Sequence, residues 1–533
     1  MDYLAKPVDA VTIGHHSLVE QLKQTCRSFP VLFLGSCLLV VVVFLVVVNL
    51  IRQQLPRSKS EPPLVFHWIP FIGNVVSYGL DPLDFYSQCQ KKHGDIFTFI
   101  LLGRKMTVYL GIEGNDFILN GQLQDVNAEE IYAPLTTPVF GSDIIYDCPN
   151  AKLMEQKKFV KFGLTHNALC SYVPLIEKEV VDYLKVAPAF KGSSGVVNIP
   201  AAMAEITIFT ASRTLQGKEV RNKLSAEFAE LYHDLDLGFR PINFLMPWAP
   251  LPQNRRRDAA HAKMRSIYIH LINQRRASGK SPNGEDTDMI WHLMTCVYKN
   301  GTPLPDKEIA HMMITLLMAG QHSSSSTSSW IMLRLASRPD IVEELYQEQV
   351  QNLGFTGTEP LEYSDIDKLP LLQNVIKETL RVHSSIHSIM RKVMRPIPVP
   401  NSDYVIGSDK VLVSSPIMSH MSEEHFNRAH VWNPHRWRDI STEEKGDMVD
   451  YGYGTVSKGT KSPYLPFGAG RHRCIGEKFA YVNLCTIVST LVRNMKFTTM
   501  DGKSTVPATD YNSLFSRPMQ PSMIRWERRS NAD

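Results

Sequence analysis

Phe467-Gly468-Ala469-Gly470-Arg471-His472-Arg473-Cys474-Ile475-Gly476 sets one cysteine among glycines and basic side chains. The glycines permit tight backbone turns around the thiol. Arg471, His472 and Arg473 surround it with positive charge, which predicts a lowered thiol pKa and a thiolate. Glu477-Lys478-Phe479-Ala480-Tyr481 reads as a helix start, and a helix N-terminus favours the negative sulfur further. A thiolate serves either as nucleophile or as metal ligand. A cysteine hydrolase needs a positioned base, and His472 sits in a tight loop that turns its ring elsewhere. The dinucleotide fingerprint G-x-G-x-x-G fails, because Arg473 stands where the third glycine belongs. The bland reading is a buried loop cysteine flanked by surface arginines.

Two upstream segments add charge. Leu371–Val382 (LLQNVIKETLRV) places Glu378 and Arg381 three residues apart on one helix face. About one or two such E-x-x-R matches arise by composition alone, and an isolated pair is usually a solvated bridge worth under about 1 kcal/mol. Asn433-Pro434-His435-Arg436-Trp437 supplies another arginine between a proline and an aromatic.

Further back, Asp306–Ser337 lies between Pro305 and Pro339 and predicts one long helix, close to 50 Å at about 1.5 Å per residue. Its middle is unusual. Ala319 and Gly320 are small, and Gln321-His322-Ser323-Ser324-Ser325-Ser326-Thr327 is polar. Serine weakens a helix interior. Either a cofactor lies close and protons pass, or the hydroxyls bond back to carbonyls four residues earlier. His311 and His322 return to one face but stand about 16 Å apart along the axis, too far for one metal ion.

The chain has 533 residues, 44% hydrophobic and 21% charged, which excludes wholesale disorder. A formal net charge of +4 is too mild to argue for nucleic acid. Eight cysteines without a C-x-x-C pair exclude a disulfide scaffold and make a structural zinc site a poor fit. Val31–Leu50 is uncharged and long enough to span a bilayer. The expected organisation is an interfacial N-terminal segment over 1–28, a transmembrane helix over 29–52, a proline-rich joint over 53–70 and one catalytic body over 71–533. Strand-like runs at Ile96–Leu101 and Met106–Leu110 precede long helical patterns between about 150 and 385. Ser278–Asp288 and Ser441–Ser462 read as surface loops.

Phe467, Gly470, Cys474 and Gly476 fit F-x-x-G-x-x-x-C-x-G, which resembles the haem-cysteine signature of cytochromes P450. Glu378 and Arg381, the Pro434–Trp437 segment and the long helix fall in that family's order. Tyr132–Lys158, Ala319–Ser323 and His387–Val393 resemble the fungal sterol 14α-demethylases in particular. The resemblance implies a mainly α protein with small β-sheets, the cytochrome P450 fold, carrying one N-terminal transmembrane helix. It implies haem b with Cys474 as axial thiolate, and Tyr132, Tyr146, Lys157, Arg391 and His472 as donors to the propionates. Glu378, Arg381 and Arg436 would brace the cysteine loop. His322 and Ser323, with Asp236, stand where the family delivers protons to bound oxygen. Phe140, Leu245, Ala319, Ile389 and Leu514, with the rings of Tyr132 and Tyr146, match substrate-facing positions.

The implied reaction uses O2 and NADPH electrons from a cytochrome P450 reductase. The 14α-methyl group of lanosterol or eburicol leaves as formic acid after three oxidations, in ergosterol biosynthesis. Azoles would bind the iron. The implied place is the endoplasmic reticulum membrane, with a cytosolic body and no nucleic-acid partner. Two alternatives stand beside this reading: a monooxygenase of fatty acids or xenobiotics on the same fold, and a haem- or sterol-binding protein without turnover.

Overall fold

The computed structural model describes residues 30–223, 226–240, 242–243, 246–278, 288–355, 359–438, 448–453, 455–457, 459–513 and 515–529. The 1–28 segment, Leu245, Leu514 and most of the Ser278–Asp288 loop lie outside the described residues. Helix α1 (Pro30–Gln54) contains a 21-residue stretch whose most apolar 18 residues have a mean hydropathy of 3.0 with none of them buried, long and apolar enough to cross a membrane. Its polar end is tied to the joint. Gln53 Nε2 donates to the His67 carbonyl at 2.8 Å, and the His67 N–H returns a bond to Gln53 Oε1 at 3.1 Å.

The early strand-like runs form β1 (Ile96–Leu101) and β2 (Arg104–Tyr109), a hairpin closed at Leu101–Arg104. With β3 (Val126–Asn127), β4 (Ile389–Val393) and β5 (Lys410–Ser414) they make a sheet in the order β1-β2-β5-β4-β3. Only β2 and β5 run parallel. A second hairpin near the C-terminus pairs β6 (Thr509–Asp510) with β7 (Arg517–Pro518). Within the Ser441–Ser462 segment expected as loop, Met448–Asp450 pairs antiparallel with Thr455–Ser457.

The helices that build the body are α2 (Glu129–Phe140), α3 (Asn150–Val160), α4 (His166–Val186), α5 (Ile199–Ala211), α6 (Ala226–Asp236), α7 (Pro252–Ala277), α8 (Asp306–Ala336), α9 (Pro370–Val382) and α10 (Glu477–Asn494). Helix α8 is the predicted long helix. Pro305 sits at its start, Asp306 and Glu308 meet the positive end of its dipole, and Arg334 lies in its last turn. Its two apolar ends belong to different cores. Ile309–Met318 pack with Met264, Tyr268 and Leu271 of α7. Trp330–Ala336 pack with Val173 and Val180 of α4, Val375 of α9 and Val488 of α10. Residues 319–329, the polar middle, join neither core.

The back-bonding reading of that middle holds for part of the run. Ser323, Ser328 and Ser329 donate to the carbonyls of Ala319, Ser324 and Ser325. Ser326 instead reaches out and donates to the Ser516 carbonyl at 2.5 Å, and Thr327 Oγ1 meets Ser385 Oγ at 3.1 Å. These hydroxyls dock the C-terminal hairpin and the segment after α9 onto α8.

Candidate active site

The cysteine loop is built on backbone constraints. Gly470 has φ +67, and a Cβ there would stand 2.2 Å from the Leu119 carbonyl oxygen. Conformation and space therefore both demand glycine. The Cys474 N–H donates to the Phe467 carbonyl at 3.0 Å, closing the loop just before α10. Gly470→Ala is expected to cost at least about 1–3 kcal/mol, since backbone on both sides must shift. Thermal inactivation of the purified variant checks this, and an unchanged midpoint refutes it.

Glu378 and Arg381 form no surface bridge. Both are fully buried, and Arg381 clasps Glu378 through two bonds of 2.9 Å. Glu378 also accepts from Arg436 Nε at 3.0 Å, Trp437 Nε1 at 3.0 Å and the Asn433 N–H at 2.9 Å. Arg381 Nη1 donates to the His420 carbonyl at 2.7 Å, and the Leu465 N–H donates to His420 Nε2 at 2.8 Å. Leu465 leads directly into the loop. Burial lowers the His420 pKa to about 3, so the ring stays neutral and keeps its acceptor nitrogen.

The expectation of a lowered Cys474 pKa is not met. Burial dominates and raises it, although the Gly476 N–H, Lys157 and Arg473 pull the other way. The arginines do little to offset it, because they are engaged elsewhere. Arg473 Nη2 binds Glu477 at 2.7 Å, and the Arg471 guanidinium lies 4.8 Å from the Tyr451 ring centre. Cys474 nevertheless carries accessible surface. Ala319, also accessible while Met318, Gln321 and His322 around it are buried, behaves alike in the middle of α8.

The expected donors come together beside this thiol. Tyr132 Oη accepts from the Met390 N–H at 2.9 Å, which ties α2 to β4 next to Arg391. The Tyr132 and Tyr146 rings lie 5.1 Å apart, and Tyr146 and His472 lie 6.0 Å apart. Lys157 Nζ donates to the Arg471 and Arg473 carbonyls at 3.0 and 3.3 Å. Arg391 is 4% exposed and donates to the Met390 carbonyl. Burial, with help from Arg391 and Arg471, lowers the Lys157 pKa to about 8. Burial and the same cations hold His472 well below the usual histidine range. Crowded buried cations and phenols beside a thiol fit a group that brings a metal for the sulfur and carboxylates for the donors. Haem is such a group. Among the described residues, no cluster of three or more His, Cys, Asp or Glu offers an alternative metal site.

On α8, His322 Nε2 lies 3.4 Å from Asp236 Oδ1 at the end of α6, without hydrogen-bond geometry. Burial lowers the His322 pKa while Asp236 raises it. The imidazole stacks on Phe515 at 5.2 Å and 19°, tilts against Tyr232 at 5.2 Å, and meets Phe239 edge-on. Ser323 Oγ donates to the Ala319 carbonyl at 3.0 Å. Phe140 joins the same aromatic row through Phe239 at 5.7 Å. Ile389 approaches the cysteine loop, its Cδ1 lying 3.7 Å from where a Gly468 Cβ would stand. Tyr232, Phe239, Phe515 and Arg517 escaped the sequence reading. Only their adjacency to Asp236 and Leu514 hinted at them.

The cytochrome P450 family model matches residues 62–526. The chain belongs to the cytochrome P450 family. It is 67% identical over 505 residues to "Sterol 14-alpha demethylase CYP51A" of Gibberella zeae, covering 94% of this chain and 99% of that one. It is 60% identical over 496 residues to "Eburicol 14-alpha-demethylase" of Penicillium italicum, covering 91% and 95%. The retinoic acid-bound cyanobacterial CYP120A1 shares the fold with a TM-score of 0.74 at 19% identity, over 89% of this chain and 100% of that one. The P450 resemblance read from the cysteine decapeptide is thereby borne out, as is the mainly α fold with small sheets. Membership in this P450 family implies haem-thiolate iron and the use of O2.

Proposed function

We propose that this P450 removes the 14α-methyl group of lanosterol or eburicol in three successive oxidations, releasing formic acid. The observation that supports it best is the Cys474 thiol on a braced loop with Tyr132, Tyr146, Lys157, Arg391 and His472 gathered beside it. Cys474 would hold the haem iron, and those five side chains would hold its propionates. When bound there, haem supplies the activation of O2 and the oxidation of the methyl carbon.

The protein's own residues do the rest. Tyr132, Tyr146, Phe140, Ala319 and Ile389 offer an apolar wall, suited to a sterol with one hydroxyl and a large hydrocarbon body. Leu245 and Leu514 join them on the sequence reading. Asp236 passes protons from the surface to His322, and the Ser323 hydroxyl carries them into the pocket. A histidine suits this task because it titrates near neutrality. Helix α1 anchors the body in the endoplasmic reticulum membrane, with residues 71–533 in the cytosol as one catalytic unit. Electrons reach the cysteine side from an NADPH-dependent reductase, whose acidic surface meets basic residues such as Arg471 and Lys478. An azole would bind through the haem iron that Cys474 would hold.

The test is turnover by the full chain with reductase, NADPH and either lanosterol, eburicol or a fatty acid. Formate is expected from a sterol. Fatty-acid hydroxylation without formate identifies a different monooxygenase. Sterol binding without NADPH-dependent product identifies a binding protein.

A further inference from the structure

Asp236 is shared. Its Oδ1 faces His322 Nε2 at 3.4 Å, and its Oδ2 faces Arg517 Nη2 of β7 at 3.7 Å. Neither His322 Nε2 nor Asp236 Oδ1 closes a hydrogen bond, although both are buried. A buried carboxylate beside a lone histidine would normally collapse onto it as a closed ion pair. Here the Arg517 guanidinium draws on the other carboxylate oxygen. Arg517 sits in a hairpin held firmly in place. Its β6 partner is Asp510, and the preceding Ser516 takes the Ser326 hydroxyl on its carbonyl and donates its N–H to the Ser385 carbonyl at 2.9 Å. Phe515 of the same segment is the ring stacked on His322.

We propose that Arg517 is a positioning residue of the proton route: it divides Asp236 between its own guanidinium and the His322 imidazole and so keeps His322 free to release its proton. This rests on the reading of His322 and Asp236 as that route. The titratable and charged groups bearing on His322 are Asp236 and Tyr232 from α6 and Arg517 from β7. Tyr232 donates to Gln321 Oε1 at 2.5 Å, and burial raises its pKa well above the usual phenol, so it stays neutral. Arg517 and burial lower the His322 pKa, and Asp236 alone raises it. Removing Arg517 therefore leaves Asp236 to His322 alone, and imidazolium persists to higher pH.

The pH dependence of deuterium exchange at the His322 ring C2–H, read by mass spectrometry on the full haem-loaded chain, tests this directly. Arg517→Gln should move the exchange midpoint up by about half a pH unit or more. Arg517→Lys should keep it near the parent value. The pH profile of sterol turnover should move the same way in Arg517→Gln, whereas a merely structural loss lowers activity evenly at all pH values. An unmoved exchange midpoint in Arg517→Gln overturns the proposal. Failure of the underlying proton route reads differently: His322→Gln would then leave the turnover profile unchanged, whatever the Arg517 variants do.

Discussion

The reduced, carbon monoxide difference spectrum of the membrane-expressed protein is expected to show a strongly red-shifted Soret band that Cys474→Ala abolishes. The loss should be complete, because one sulfur atom supplies the effect. Cys474 is the thiol whose loop closes on Phe467 and whose flanks carry the donor ring of Lys157, Arg391 and His472. Of the other described cysteines, Cys89, Cys148, Cys296 and Cys485 are buried in the cores. Burial raises the pKa of the bare Cys474 thiol. That does not oppose ligation, since a coordinated thiol is deprotonated by the metal's own charge. The cations nearby then have a thiolate and two carboxylates to neutralise, which offsets the burial that, with help from Arg391 and Arg471, lowers Lys157 to about 8. A red-shifted band persisting in Cys474→Ala would mean that another group holds the iron, and the assignment of every donor around it would fail with it.

How much of this was legible in the chain depends on the distance over which the information acts. The cysteine loop was readable because its constraints are local. Gly470 must be glycine for its φ of +67 and for the Leu119 oxygen, and both demands leave a mark in one decapeptide. The length of α8 was readable from two prolines and an unbroken helical pattern. The state of Cys474 was not legible, because sequence shows that arginines flank the thiol but not how deeply the folded loop buries it, nor that Arg473 turns to Glu477 and Arg471 to Tyr451. The serine run was ambiguous for the same reason: back-bonding needs only the helix, whereas the Ser326 bond to Ser516 joins positions 190 apart in sequence. Arg517 carried no signal at all, because its meaning comes from Asp236 on a distant helix. The family resemblance supplied long-range pairs such as Asp236 with His322, which spacing alone could not.

Glu378→Ala is expected to destabilise the folded protein by about 3–5 kcal/mol. The same motif on a surface would be worth under about 1 kcal/mol, so burial makes the difference. Glu378 and Arg381 have no exposed surface, and alanine removes the acceptor for Arg381, Arg436, Trp437 and the Asn433 N–H together. Arg381 would keep its bonds to the His420 and Val431 carbonyls, which satisfy donors but not charge. Glu378→Gln keeps shape and one oxygen, yet leaves the guanidinium charges of Arg381 and Arg436 without a counter-ion, so it should be milder but still costly. Urea unfolding of the detergent-solubilised chain measures the loss, and haem dissociation measures what it does to the loop. The two should move together, because Arg381, His420 and Leu465 link Glu378 to the segment carrying Cys474. Removing both partners, Glu378→Ala with Arg381→Ala, should cost clearly less than the two single losses added, since the fully buried Arg381 charge is then removed with its counter-ion and only Arg436 is left unpaired. Additive losses, or a Glu378→Ala cost near that of a surface pair, would show that the clasp is not what holds the cysteine loop.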